Sequence, residues 1–293
     1  MRLPLVLVSI SLVFMPVLAE ASHAPDFSVG AQYDSTHVYV APDKIDAFVR
    51  SFAATFGGHS TKQVIATVTP TPSSTSSQLV QTPVGIVSVF GFRTPIPYPF
   101  GLERTGYLVT DLDAALKAAE AAGAATVVKA FDDPIGRDAI ISWPGGVNMQ
   151  LYWHTTRPTY DALEHVPENR IYLPASRADA FVKSFLAFAH GKVTADDARA
   201  PASELGGKEG AYRRIRLESG YGKATVIVTD GHLNWPYGNE VTGYEVGDLD
   251  ATLARAGASG AQVVVPVHGE GGRRSAMVQF PGGYVAEVHS AGP

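Results

Sequence analysis

Two stretches of this chain repeat each other at a fixed spacing. His37-Val38-Tyr39-Val40, followed by Asp46-Ala47-Phe48-Val49-Arg50-Ser51-Phe52, returns 133 positions later as Arg170-Ile171-Tyr172-Leu173, followed by Asp179-Ala180-Phe181-Val182-Lys183-Ser184-Phe185. Further along, the spacing is 137, so four residues are inserted between. There Tyr98 through Tyr107 matches Trp235 through Tyr244, with six of the ten pairs identical. Asp111-Leu112-Asp113-Ala114 matches Asp248-Leu249-Asp250-Ala251, and Trp143-Pro144-Gly145-Gly146 matches Phe280-Pro281-Gly282-Gly283. Self-similarity at a near-constant offset marks duplication. The 293 residues are therefore expected to fold as two tandem domains, 33–156 and 166–291, joined by a linker near Thr156 to Pro167.

Each half divides once more. His37 to Val40 reads as a short strand. Pro42-Asp43 opens a helix in which Phe48, Phe52 and Phe56 recur at every fourth position, one face of an amphipathic helix, closed by Gly57-Gly58. Strands follow at Val64 to Val68, Gln78 to Gln81 and Ile86 to Phe92, separated by turn material rich in Pro, Ser and Thr. The pattern then restarts. A strand from Gly106 to Val109 precedes a helix capped by Asp111 and ended by Gly123; strands at Thr126 to Lys129, Ala139 to Trp143 and Asn148 to Trp153 complete it. The expected class is α+β, with four βαβββ modules. Two such modules side by side curl an uncovered sheet face into an open cleft, where a small-molecule ligand would sit.

Hydrophobic residues make up 45% of the chain and charged residues 17%, enough apolar material for cores of this size. A formal charge of -5, with no long run of one sign, offers no basic field for nucleic acid. There is no cysteine, which removes disulfides, thiol nucleophiles and thiolate ligands. Residues 1–21 read as an export signal, with Met1-Arg2, an apolar run from Leu3 to Leu18, and small residues at Ala19 and Ala21. That run falls short of the ~20 residues of a transmembrane helix. The expectation is a secreted or periplasmic protein, free of the membrane after cleavage. Glycine-rich phosphate loops, serine nucleophile elbows and His-Glu-x-x-His motifs are absent.

The paired βαβββ units, the helix Asp111-Leu112-Asp113-Ala114-Ala115-Leu116 ending at Ala122-Gly123-Ala124, and the turn Pro134-Ile135-Gly136-Arg137 resemble the vicinal oxygen chelate superfamily. That group includes glyoxalase I, extradiol dioxygenases, bleomycin-resistance proteins and methylmalonyl-CoA epimerase. The resemblance implies two glyoxalase-like domains in tandem. In the catalytic members it also implies one divalent metal per cleft (iron, manganese, nickel or zinc), held by His, Glu or Gln from the first and last strands of paired units. Such a metal stabilises an enolate or activates oxygen. Carried over position by position, the first half offers His37 and Gln150, with Gly106 and Ser88 or a neighbour at the other two places. The second half offers Arg170, about Thr225, Gly243 and Glu287. The metal reading therefore rests on His37, Gln150 and Glu287, and an exchange of units between halves would set His37 beside Glu287. A metal-free pocket, as in the binding members, is the alternative.

Tyr39 and Tyr172 stand two residues after His37 and Arg170, on the same strand faces, and are candidate general acids. Glu103 and Glu240 occupy one slot in both halves; Glu103 is a candidate catalytic carboxylate, or else a bridge bonded to backbone amides. Arg170, Arg214 and Arg216 suit a carboxylate or phosphate of a ligand through their planar forks. Tyr152, His154 and His289 complete the candidate substrate contacts. The expected function is an exported glyoxalase-like enzyme acting on a small oxygen-rich molecule by isomerase, lyase or ring-opening chemistry. The first-half cleft is the better candidate because it keeps more of the ligand pattern. The rival expectation is a binding protein that sequesters its ligand unchanged.

Overall fold

The computed structural model describes residues 25–30, 36–95, 103–229, 240–270 and 272–291. The export signal at 1–21 and the aromatic-Pro-aromatic-Gly stretches around Tyr98 and Trp235 lie outside the described residues. The first half folds as β1 (Thr36–Tyr39), α1 (Ile45–Phe56), β2 (His59–Ser60), β3 (Val64–Ala66), β4 (Thr75–Thr82) and β5 (Gly85–Phe92). It continues as β6 (Glu103–Leu108), α2 (Leu112–Ala121), β7 (Ala125–Asp133), β8 (Gly136–Trp143) and β9 (Val147–His154). The second half gives β10 (Glu168–Pro174), α3 (Ala175–Ala189), β11 (Lys192–Pro201), β12 (Ala211–Ser219) and β13 (Gly222–Thr229). It ends with β14 (Glu240–Glu245), α4 (Leu249–Ala258), β15 (Gln262–Glu270), β16 (Arg273–Gln279) and β17 (Val285–Ser290). The fold is α+β, and the βαβββ unit occurs four times. Among the described residues no helix is long and apolar enough to cross a membrane.

Local chemistry sets the element ends, twice over. Asp111 accepts from the Ala114 amide at 2.9 Å and Asp248 from the Ala251 amide at 2.9 Å, capping α2 and α4 in the same way. Gly145-Gly146 and Gly282-Gly283 turn at φ between 83° and 100°, a region open mainly to glycine. Polar strand segments were harder to read. β4 begins at Thr75, in material read as a turn, because Thr75, Ser76 and Ser77 pair with Phe92, Gly91 and Phe90 of β5. Arg213, Arg214 and Arg216 lie within β12.

Each half forms one sheet. The strand orders are β2-β4-β5-β1-β6-β9-β8-β7, with β3 also on β4, and β11-β12-β13-β10-β14-β17-β16-β15. Modules therefore pair within a half, through antiparallel β1–β6 and β10–β14. The exchange that would have joined His37 to Glu287 does not occur, and the two residues stay on separate sheets.

The cores, by contrast, are shared between halves. One cluster packs α2 and α3 together and joins Tyr107 and Trp143 to Phe181, Phe185 and Phe188. The other packs α1 and α4, with Phe48, Phe52 and Phe56 against Tyr244, Phe280 and Tyr284. Phe52 alone has ring centroids of Phe56, Phe280 and Tyr244 at 4.8, 5.2 and 5.4 Å. The helix-bearing faces thus meet back to back, leaving the opposite face of each sheet for its cleft.

A reciprocal polar bridge crosses this seam. Glu103 accepts from the Thr242 amide at 2.6 Å, the Thr242 hydroxyl at 2.8 Å and the Tyr284 hydroxyl at 2.8 Å. Glu240 accepts from the Thr105 amide at 3.1 Å and the Thr105 hydroxyl at 2.8 Å. Glu103 is thus held as the bridge to a backbone amide that the sequence also allowed. It projects to the seam because its strand neighbour Arg104 takes the cleft side.

Candidate functional site

The four positions singled out by register come together in both sheets. His37 pairs with Ser88 and Gly106 with Gln150. In the second half Arg170 pairs with Thr225 and Gly243 with Glu287. Both glycines make room for a neighbour. A Cβ on Gly106 would lie 2.1 Å from His37 Cε1; one on Gly243 would lie 2.7 Å from Glu287 Oε2 and 3.2 Å from Arg170 Cδ.

These donors do not fit the metal that the resemblance implies. At the four positions the first cleft offers one imidazole, one neutral amide, a serine and a glycine. The second places a guanidinium among the four positions. No cluster of three His, Cys, Asp or Glu side chains suited to a metal occurs among the described residues.

The first cleft encloses about 380 Å³. His37, Tyr39, Arg104, Asp138, Gln150, Tyr152 and His154 line it, with walls that include Phe90, Phe92, Phe131, Ile135 and Tyr160. Five of the residues proposed from sequence therefore share one cavity: His37, Tyr39, Gln150, Tyr152 and His154. Arg104 is the residue that sequence reasoning missed. Its Nη2 donates to the Tyr39 hydroxyl at 2.5 Å, and its guanidinium carbon lies 5.5 Å from the Tyr39 ring centroid. Burial raises the Tyr39 pKa, and the guanidinium works against that rise. The Tyr39 ring stacks at 5.9 Å on both Phe90 and Phe92, and the edge of Tyr152 meets His37 at 5.5 Å. One signal pointed to Arg104: it stands opposite Val241 between two identical pairs, Glu103/Glu240 and Thr105/Thr242.

The second cleft is lined differently. Val241, Val265, Met277 and Val285 form an apolar cluster on which Tyr172 packs. Tyr172 packs on this cluster next to Arg170, and burial raises its pKa against the effect of that guanidinium. Glu287 is 1% exposed and fully engaged. It accepts from Ser275 at 2.6 Å and Arg273 at 3.1 Å, pairs with His289 at 2.6 Å, and has Arg170 at 3.6 Å. Those cations hold its carboxyl well below the usual carboxylate range, against the opposing effect of burial. Glu287, the candidate metal ligand, sits at the centre of an ion network with His289 as one of its partners, and His289 also lines a neighbouring cavity. Arg170, Arg214 and Arg216 do line one cavity, of about 230 Å³, together with Arg273 and Ser275, which sequence reasoning had not singled out.

No protein-family model and no curated protein matches the chain. Solved structures do. A mutant 4-hydroxymandelate synthase from Streptomyces coelicolor aligns at TM-score 0.60 and 13% identity, over 90% of this chain and 94% of that one. An Mn(II)-bound glyoxalase from Novosphingobium aromaticivorans aligns at 0.56 and 15%, over 90% and 82%. The 2,2',3-trihydroxybiphenyl 1,2-dioxygenase of Sphingomonas wittichii aligns at 0.55 and 14%, over 90% and 91%. At such identities the likeness establishes the fold alone.

Proposed function

We propose that this chain, which has the tandem vicinal oxygen chelate fold, is an exported enzyme that moves a proton on a small aromatic molecule carrying adjacent oxygens. The first cleft is its active site. One observation carries the reading: the pair of buried Arg104 and half-buried Tyr39 beneath aromatic walls. A guanidinium and a phenol fixed in an apolar pocket are preorganised donors for an oxygen on which negative charge develops. Their effect is greater there than in water. In an α-oxo compound, a proton leaves the carbon beside the carbonyl for the His37 imidazole. The electron pair moves onto the carbonyl oxygen as an enolate, which Arg104 and Tyr39 hold. Return of the proton completes the isomerisation. His37 is the register partner of Arg104, so base and oxyanion donors sit on adjacent strand positions. The walls of Phe90, Phe92, Phe131 and Tyr160 suit a ring, and two of the similar structures are named for aromatic, oxygen-bearing molecules.

The test is exchange of the α-protons of phenylpyruvate in heavy water, followed by NMR. Wild type should exceed the buffer rate, and Tyr39→Phe and Arg104→Gln should each lose about 10²-fold. Exchange at the buffer rate despite binding would favour sequestration, the reading that the apolar walls alone support. Export is tested separately, by the N-terminal residue of protein recovered from cells, expected just after Ala19 or Ala21.

A further inference from the structure

We propose that the second cleft is an oxyanion site, taking a phosphate or carboxylate group of a small ligand. The inference is independent of the chemistry assigned to the first cleft. Alternate residues of β12 put Tyr212, Arg214 and Arg216 on one face, and β10 and β16 bring Arg170 and Arg273 against them around the 230 Å³ cavity. Four guanidiniums and two carboxylates, Glu168 and Glu204, line it.

Those carboxylates are already satisfied. Glu168 takes the Thr225 hydroxyl and, at 2.8 Å, Arg273. Glu204 takes Arg214 and, at 2.9 Å, the Tyr212 hydroxyl. Glu287, just behind, has the four partners given above. Donors are left over. The Nε groups of Arg170 and Arg214 are buried without an acceptor among the described residues, and Arg170 is only 6% exposed. Arg216 is exposed at the cavity and forms no ion pair among the described residues. Buried donors without acceptors are rare in folded proteins. An oxyanion supplies the acceptors, and charge-assisted bonds to arginine are the strong kind.

Titration calorimetry on the full chain with inorganic phosphate and, separately, citrate at low ionic strength tests the proposal. The expected result is saturable binding of one anion per chain. It should weaken about tenfold in Arg216→Gln, weaken further with added salt, and remain unchanged in Arg104→Gln. Arg216 is exposed, so its variant should fold. A preference for phosphate over citrate, or the reverse, assigns the headgroup. Absence of binding by both anions, or equal binding by Arg216→Gln, overturns the site.

Discussion

Gly106 shows how a residue with no side chain shapes the first cleft. Its missing Cβ is the space in which the His37 ring lies. Gly106→Ala should displace that ring, cost about 1–3 kcal/mol by overpacking, and remove proton exchange on phenylpyruvate; a thermal melt and the NMR assay read both. Glu103 makes a different prediction. Burial, with Glu240 adding to it, pushes its carboxyl up to about 8; burial pushes Glu240 up to about 7. A carboxyl raised on folding holds its proton better in the folded state. Its contribution is therefore complete below the ordinary carboxylate range, declines as pH rises above that range, and is gone once pH passes about 7 to 8. Melting temperature should fall over that window, and Glu103→Gln should flatten the fall. At this scale the repeat made His37, Tyr39, Gln150, Tyr152 and His154 legible, because register and alternation place side chains on a known face. The saturation of Glu287 was not legible, since Arg273 and Ser275 reach it from another strand and only packing reveals them.

The elements were legible where local chemistry alone decides them. The capping aspartates and the phenylalanine spacing of α1 needed nothing beyond sequence neighbours. Strand edges such as Thr75–Ser77 did not announce themselves, because their hydrogen bonds come from β5 and not from their own composition. The same dependence on partners governs the ion network joining β10, β16 and β17. Arg170→Ala would remove one of the cations around the buried Glu287 carboxylate, leaving Arg273, His289 and Ser275, and should cost about 1–3 kcal/mol, read as the shift in urea midpoint. Phe52→Ala, in the helix packed against α4, should cost a similar ~3–5 kcal/mol while leaving a single cooperative transition.

At the scale of the whole molecule, duplication announced two like halves and concealed how they join. Repeat analysis treats each half as complete, yet both aromatic clusters draw on both halves. Separately produced halves, ending in the segment between β9 and β10, should remain unfolded by circular dichroism and gain structure when mixed. With the frame held in common, the clefts have diverged: the first has an aromatic cavity around Arg104 and Tyr39, and the second a cavity lined by arginines and carboxylates. The most direct test of that division is calorimetric titration of methyl phenylpyruvate, an ester without the carboxylate that the second cleft would take, into wild type, Arg104→Gln and Arg216→Gln. The account predicts binding that Arg104→Gln abolishes and Arg216→Gln leaves intact. Binding that survives Arg104→Gln and is lost in Arg216→Gln would contradict it, moving the aromatic ligand to the second cleft.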